Sequence, residues 1–382
     1  MSSSHRLLRI AGTPLRRYLD PRFGAIESRL DSLAERVGAL ASEPGELERA
    51  MRSGWLQRVD VTDHNQAGRP PAFADFDSHA VSAAQCVVPA YLAWYRKLLP
   101  GWLEDSLART EGGDEWKRRG GVTGAPIPLF NRKAWEWAYI AEMASQAVGS
   151  RRGGRALGFG VGNEPLPALF ASLGMDVVAT DQGPETGSDW VETGELLSGL
   201  EGLSRPHLLS DEELARRVST RAVDMNHVPD DLGTFDLIWS SCSIEHLGTP
   251  GLGLDFVRES CGLLRPGGVA VHTTELELTR KDSTADYGHC AVYRLGDLRD
   301  FAGRMLADGY EISLNTHVSL DTPQDRWIDL GQAKAVLVDL AHLRVVIGDS
   351  VTTSIGLLIR KPVPDRGGSG PEVVTASTKL RR

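Results

Sequence analysis

The sequence predicts an α/β fold, a doubly wound and mainly parallel sheet of seven strands with a helical and coiled-coil extension on its N-terminal side. Three observations carry that prediction. From Arg155 onward, short apolar and β-branched runs alternate with helical patterns. A glycine-rich turn, GFGVGNEP at 158–165, joins the first of these strands to the first of these helices. Further on, LLRPGG at 263–268 closes a helix and opens a strand. Regular alternation of this kind builds parallel sheets covered by helices on both faces.

The elements follow in chain order. Phe23, Ile26, Leu30, Leu33, Val37 and Leu40 recur at spacings of three and four, which sets them on one seam of a helix at heptad a and d positions. The seam suits a short coiled coil with a second copy of the chain, or packing against the chain's own fold. Turn chemistry at Ser42-Glu43-Pro44-Gly45 and at 67–74 interrupts it. Residues 88–99 and 132–148 read as helices, the second with Trp135, Tyr139 and Met143 on one stripe. Such a stripe is usually core, and Trp135 or Trp137 could instead line a pocket that roofs the sheet. The strand candidates are 155–159, 175–181, 220–225, 235–241, 268–276, 311–317 and 352–360, with helices at 165–173 and 253–264 between them. The division expected is a helical segment over 1–50, a helical cap over 51–150, the α/β domain over 151–362 and a disordered tail over 363–382, which lacks apolar periodicity.

Composition narrows the function. A chain of 382 residues, 41% hydrophobic and with a net charge of -9, can bury a large core, and its acidic balance favours a small-molecule substrate over nucleic acid. No apolar run reaches membrane-span length and the N-terminus lacks a signal-peptide core, so a cytoplasmic location without a membrane span is expected. Cys86, Cys242, Cys261 and Cys290 show no paired or metal-ligand spacing, so free thiols are expected.

The loop at 158–165 sits where a ligand meets the carboxyl edge of such a sheet. A dinucleotide asks for G-x-G-x-x-G, and neither frame provides it: the sixth position is Asn163 counted from Gly158 and Pro165 counted from Gly160. Glu164 adds an acid that would repel a pyrophosphate and attract a cationic ligand.

These residues resemble the first motif of the class I S-adenosylmethionine-dependent methyltransferases. Gly158, Gly160, Gly162 and Glu164 fall on its acid-x-Gly-x-Gly-x-Gly positions, with Gly158 where the acid stands and Glu164 where the last glycine stands. The resemblance implies a Rossmann-like sheet, S-adenosylmethionine as cofactor, Asp181 as acceptor of the ribose hydroxyls, and Asp224 with Met225 at the adenine. It also implies that the end of the fourth strand, Ser240-Ser241, passes under the methionine part. Taken with DMN, WSSCSIEHLG and HTTE, the loop is similar to a bacterial branch associated with saccharide or other secondary-metabolite biosynthesis. The expectation is a methyl transferase acting on a hydroxyl, or less readily an amine, of a sugar or glycosylated metabolite. The alternative is a non-catalytic scaffold that keeps a vestigial cleft and oligomerises through its N-terminal seam.

A hydroxyl acceptor needs a base. His246 has a suitable ordinary pKa. On the fifth strand, alternation separates His272 and Thr274 from Thr273 and Glu275. Glu275 lies nearer the strand end and has the better claim, as base, hydroxyl anchor or metal ligand. Glu245, and a loop with Tyr287 and His289, are further polar neighbours. No compact acidic motif announces a magnesium site, so no obligatory metal is expected.

Overall fold

The structure, a computed structural model, describes residues 70–102, 129–148, 153–183, 196–278, 285–286, 290–329, 341–348 and 350–364. The proposed coiled-coil seam at 23–40, and Tyr287 and His289, lie outside the described residues.

Helix α1 (Pro89–Leu98) starts on a proline, whose missing N–H costs nothing at that position, and buries Tyr91, Tyr95 and Leu98. Helix α2 (Arg132–Val148) opens with the Asn131 Oδ1 atom accepting the Ala134 N–H at 3.1 Å. It is buried on nearly every face because α1 packs on one side and the sheet on the other. Trp135 and Tyr139 stack within it, ring centroids 5.0 Å apart.

The α/β region then follows: β1 (Arg155–Phe159), α3 (Leu166–Ser172), β2 (Asp176–Asp181), α4 (Leu200–Leu203), α5 (Asp211–Arg217), β3 (Val218–Ala222), β4 (Phe235–Ser241), a 3-10 turn (Ile244–His246), α6 (Pro250–Gly262), β5 (Leu264–Glu277), β6 (Ala285–Asp286), β7 (Ala291–Val292), α7 (Leu295–Ala307), β8 (Glu311–Ile312), α8 (Pro323–Arg326), β9 (Arg344–Ile347) and β10 (Ser350–Arg360).

The main sheet runs β3-β2-β1-β4-β5-β10-β8, with β9 paired to β10. Neighbours from β3 to β5 are parallel, while β10 is antiparallel to β5, β8 and β9. Among the described residues the sheet therefore has eight strands where the sequence predicts seven. The added strand is β9, and the candidate at 311–317 pairs only over Glu311–Ile312. Residues from 73–102 and 129–148 share one hydrophobic core with Leu237, Trp239, Val269 and Val271 of the sheet, so α1 and α2 cover one face. Helices α6 and α7 cover the other, where Phe256, Val257, Leu298 and Phe301 meet Phe159, Ile238 and Ala270.

Two features of this topology position the site. Strand order reverses between β1 and β4, and that reversal opens a crevice at the carboxyl ends of the two strands. In addition, the last β4–β5 pair is Ser241 with Thr273, so Thr274 to Glu277 of β5 run on past the end of β4.

Candidate active site at the carboxyl edge of the sheet

The glycine loop is shaped by its neighbours. Gly158 has no room for a side chain, since a Cβ there would lie 2.3 Å from the Trp239 ring. Gly160 has φ +58°, and a Cβ on it would come within 2.6 Å of Ser243 Oγ. Gly162 has φ +49°. Its N–H donates to Asp181 Oδ2 at 3.0 Å, and the Leu197 N–H donates to the same oxygen at 3.0 Å. The carboxyl of Asp181, at the end of β2, is thereby fixed beside the loop. Burial raises its pKa, against the pull of these backbone donors.

The Ser243 Oγ–H donates to the Gly160 carbonyl at 3.1 Å, tying the segment after β4 to the loop. Buried Met225 has its sulfur 3.5 Å from the Cβ position of Gly160. Asp224 lies two residues beyond the end of β3, exposed and bonded to His227 Nδ1 at 2.8 Å, and that bond lowers its pKa.

Glu164 is directed inward. Its Oε1 accepts the Trp239 indole N–H at 2.6 Å and its Oε2 accepts the Trp137 indole N–H at 3.1 Å, with 5% of the residue exposed. Burial raises its pKa to about 8, so at neutral pH it is an uncharged brace between α2, the loop and β4. The sequence suggested a carboxylate facing a cationic ligand, and the two indoles supply the reason for the different orientation.

The helix that follows starts with few backbone donors. Pro165 precedes α3 and Pro167 sits in its first turn, so two of the backbone N–H groups that would cradle a phosphate do not exist.

Beyond β4 lies a polar cluster that the sequence reading only partly anticipated. Glu275 pairs with Arg132, and its Oε2 accepts the Thr352 hydroxyl at 2.9 Å. Arg132 also reaches Glu136 Oε1 at 3.3 Å, and Lys133 Nζ reaches Glu136 Oε2 at 2.9 Å. The Lys133 ammonium further donates to the carbonyl and the hydroxyl of Ser241, each at 3.3 Å. Glu136 is fully buried, and burial would raise its pKa, but Lys133 and Arg132 outweigh that and hold it below the ordinary value.

Glu245 is 2% exposed, and its Oε2 accepts the Thr274 hydroxyl at 3.0 Å. Burial and the Glu275 charge raise its pKa to about 8. Cys242 has φ +50°, the only non-glycine residue among those described with positive φ. Burial pushes its thiol well above the usual range. One ligand-type atom from each of Cys242, Glu245 and Glu275 lies within 4.8 Å of the others. The cation among them is the Arg132 guanidinium, which pairs with Glu275 and approaches Cys242 Sγ at 3.9 Å.

The structure therefore brings Gly160, Gly162, Asp181, Met225, Ser241 and Glu275 to one edge. Ser240 and His272 lie in the interior: Ser240 Oγ bonds His272 Nδ1 at 2.8 Å, both residues are 0% exposed, and the ring packs edge-on against Phe256. Burial lowers the His272 pKa to about 3, and the crevice does not reach it. His246 closes the 3-10 turn, half-buried, its N–H donating to the Ser243 carbonyl at 3.2 Å.

The residues missed by sequence are Arg132, Lys133 and Glu136. Their signal was available, because a charged i, i+1, i+4 set opens a helix that buries every residue from Ala134 to Ala141.

No known family profile matches the chain, and no curated protein matches its sequence. Among solved structures, an S-adenosylmethionine dependent methyltransferase from Mesorhizobium loti is 14% identical, covering 59% of this chain and 97% of its own, with a TM-score of 0.34. The CcbJ methyltransferase from Streptomyces caelestis is 12% identical, covering 57% and 93%, with a TM-score of 0.32. The [4+2]-cyclase SpnF is 16% identical, covering 60% and 83%, with a TM-score of 0.35. All three are distant likenesses.

Proposed function

We propose that this chain is an S-adenosylmethionine-dependent methyltransferase whose acceptor is a hydroxyl on a neutral, polar small molecule such as a sugar or glycosylated metabolite. The observation that carries the reading is the pairing of a fixed carboxylate with a phosphate-poor loop at the switch point. Asp181 is held by the Gly162 and Leu197 N–H groups, while Pro165 and Pro167 take two backbone donors away from the start of α3.

Gly160, Gly162, Asp181, Met225 and Ser241 would hold the cofactor along this edge, with Asp224 at its open end and Gly158 and Glu164 supporting the loop from within. The bound cofactor supplies a methyl group on a sulfonium: transfer forms a carbon–oxygen bond to the acceptor and breaks the carbon–sulfur bond, whose electron pair stays on sulfur. The residues of the chain must align the hydroxyl, exclude water and take up its proton.

The polar cluster supports a neutral acceptor. Arg132 and Lys133 are balanced by Glu136 and Glu275, while Glu245 and Cys242 are protonated at neutral pH. A cluster with no net charge but many donors and acceptors suits hydroxyl groups better than an anion or an ammonium. The experiment is incubation with methyl-labelled S-adenosylmethionine and a panel of monosaccharides and glycosides, read by mass. Label appearing on a sugar hydroxyl is expected. Label confined to amines or carboxylates contradicts the acceptor class, and a protein that binds no cofactor is the non-catalytic alternative.

A further inference from the structure

We propose that Glu245 receives the proton of the acceptor hydroxyl, with Glu275, anchored by Arg132, as its fixed neighbour. This rests on the methyl-transfer reading above and names a catalytic residue for it. Thr274 to Glu277 project past the end of β4, and the 3-10 turn carries Glu245 into the space beside them. The two carboxyl groups and Cys242 thus converge within 4.8 Å at the end of the strand that borders the cofactor crevice.

The two carboxyls differ in how they are tied. Glu275 is bound at both oxygens, by Arg132 at Oε1 and by Thr352 at Oε2. Glu245 is held by the Thr274 hydroxyl at Oε2 and by a hydrogen bond from its own backbone N–H, with no cation paired to it among the described residues. The groups whose charge bears on Glu245 are Arg132, Lys133 and Glu136 from α2, Cys242 after β4, Glu275 on β5 and Tyr293 following β7. Burial and the Glu275 charge leave Glu245 protonated at neutral pH and ionised above about 8. In its ionised form it accepts the proton as the acceptor O–H bond breaks, and the electron pair of that bond becomes the oxygen nucleophile. A base with a pKa near the working pH is the efficient choice for this step. His272 is enclosed and charges only in acid, which removes it from the role.

The test is a carboxyl titration of the whole protein labelled with carbon-13 in its glutamates. The parent is expected to show two glutamate carboxyl signals with midpoints near pH 8, from Glu164 and Glu245. Glu245→Gln removes one, Glu164→Gln removes the other, and Glu275→Gln moves the Glu245 midpoint down. If Glu245→Gln, which keeps the shape of the side chain, leaves both signals in place, the proposal is overturned, whether or not Glu275→Gln folds. Transfer to free hexoses should rise with pH through the same midpoint in the parent. In Glu245→Gln it should fall by about a hundredfold and lose that rise, and equal rates in the two proteins would overturn the proposal. Absence of hexose transfer by a protein that binds S-adenosylhomocysteine would refute the acceptor class alone, and the titration would still test whether Glu245 is a group that ionises near pH 8.

Discussion

Replacing Glu164 by glutamine tests whether the loop is braced by a neutral carboxyl. In the parent, one oxygen accepts from each indole N–H, and the carboxyl stays protonated up to about pH 8 against an ordinary value of 4.5. Because the folded-state pKa is raised, the folded protein holds a proton that the unfolded chain releases between those values, and stability falls as pH rises from 4.5 to about 8. At 1.36 kcal/mol per unit, the loss between pH 5 and pH 8 is about 3–4 kcal/mol from this group. Glutamine does not titrate, but its amide N–H2 must face one indole donor, a mismatch that costs about 1–3 kcal/mol. Glu164→Gln should therefore be less stable than the parent near pH 5 and more stable near pH 8. Denaturant unfolding of both proteins across this range measures the difference, and other titrating groups largely cancel. A difference that stays constant with pH would refute a neutral, indole-bonded Glu164.

Three further substitutions probe the same architecture. Gly158→Ala drives a methyl group into the Trp239 ring and should cost about 1–3 kcal/mol in denaturant unfolding. Arg132→Met strands Glu275 and part of Glu136 without their cation, and a loss of about 3–5 kcal/mol in the same assay is expected; no loss would show that the pair is solvated. Asp181→Asn should weaken S-adenosylhomocysteine binding by about tenfold to a hundredfold in calorimetry, because a charged acceptor contributes about 1.5–3 kcal/mol per bond, and it should also lower stability because both carboxylate oxygens accept backbone N–H groups, from Gly162, Leu197 and Gln182.

The sheet was legible because its signals are local. Strands β1, β2 and β4 lie within a residue of their sequence ranges, since apolar β-branched runs bounded by Gly, Asp or Thr leave little choice. The ends set by pairing were not: β3 begins at Val218, two residues before its sequence candidate, because its register follows β2. Strand β9 pairs with β10, and its run Arg344–Ile347, though β-branched at three positions, is only four residues long and shows no period-two alternation.

At the site, glycine spacing pointed to the crevice, and Asp181 lies beside the loop with Gly162. Alternation along β5 also separated Glu275, beside Arg132, from His272, beside Phe256. It could not reveal that Glu164 meets two indoles far away in sequence. Nor could it show that Arg132, Lys133 and Glu136, on a helix read as aromatic core, join Glu275 in a charged cluster.

The most direct measurement is calorimetric titration of the protein with S-adenosylhomocysteine and, separately, with NAD+. A crevice that combines a fixed Asp181 with a proline-interrupted helix start should bind the first at one site per chain and the second not at all. Binding of NAD+ without S-adenosylhomocysteine, or of neither, would contradict the account.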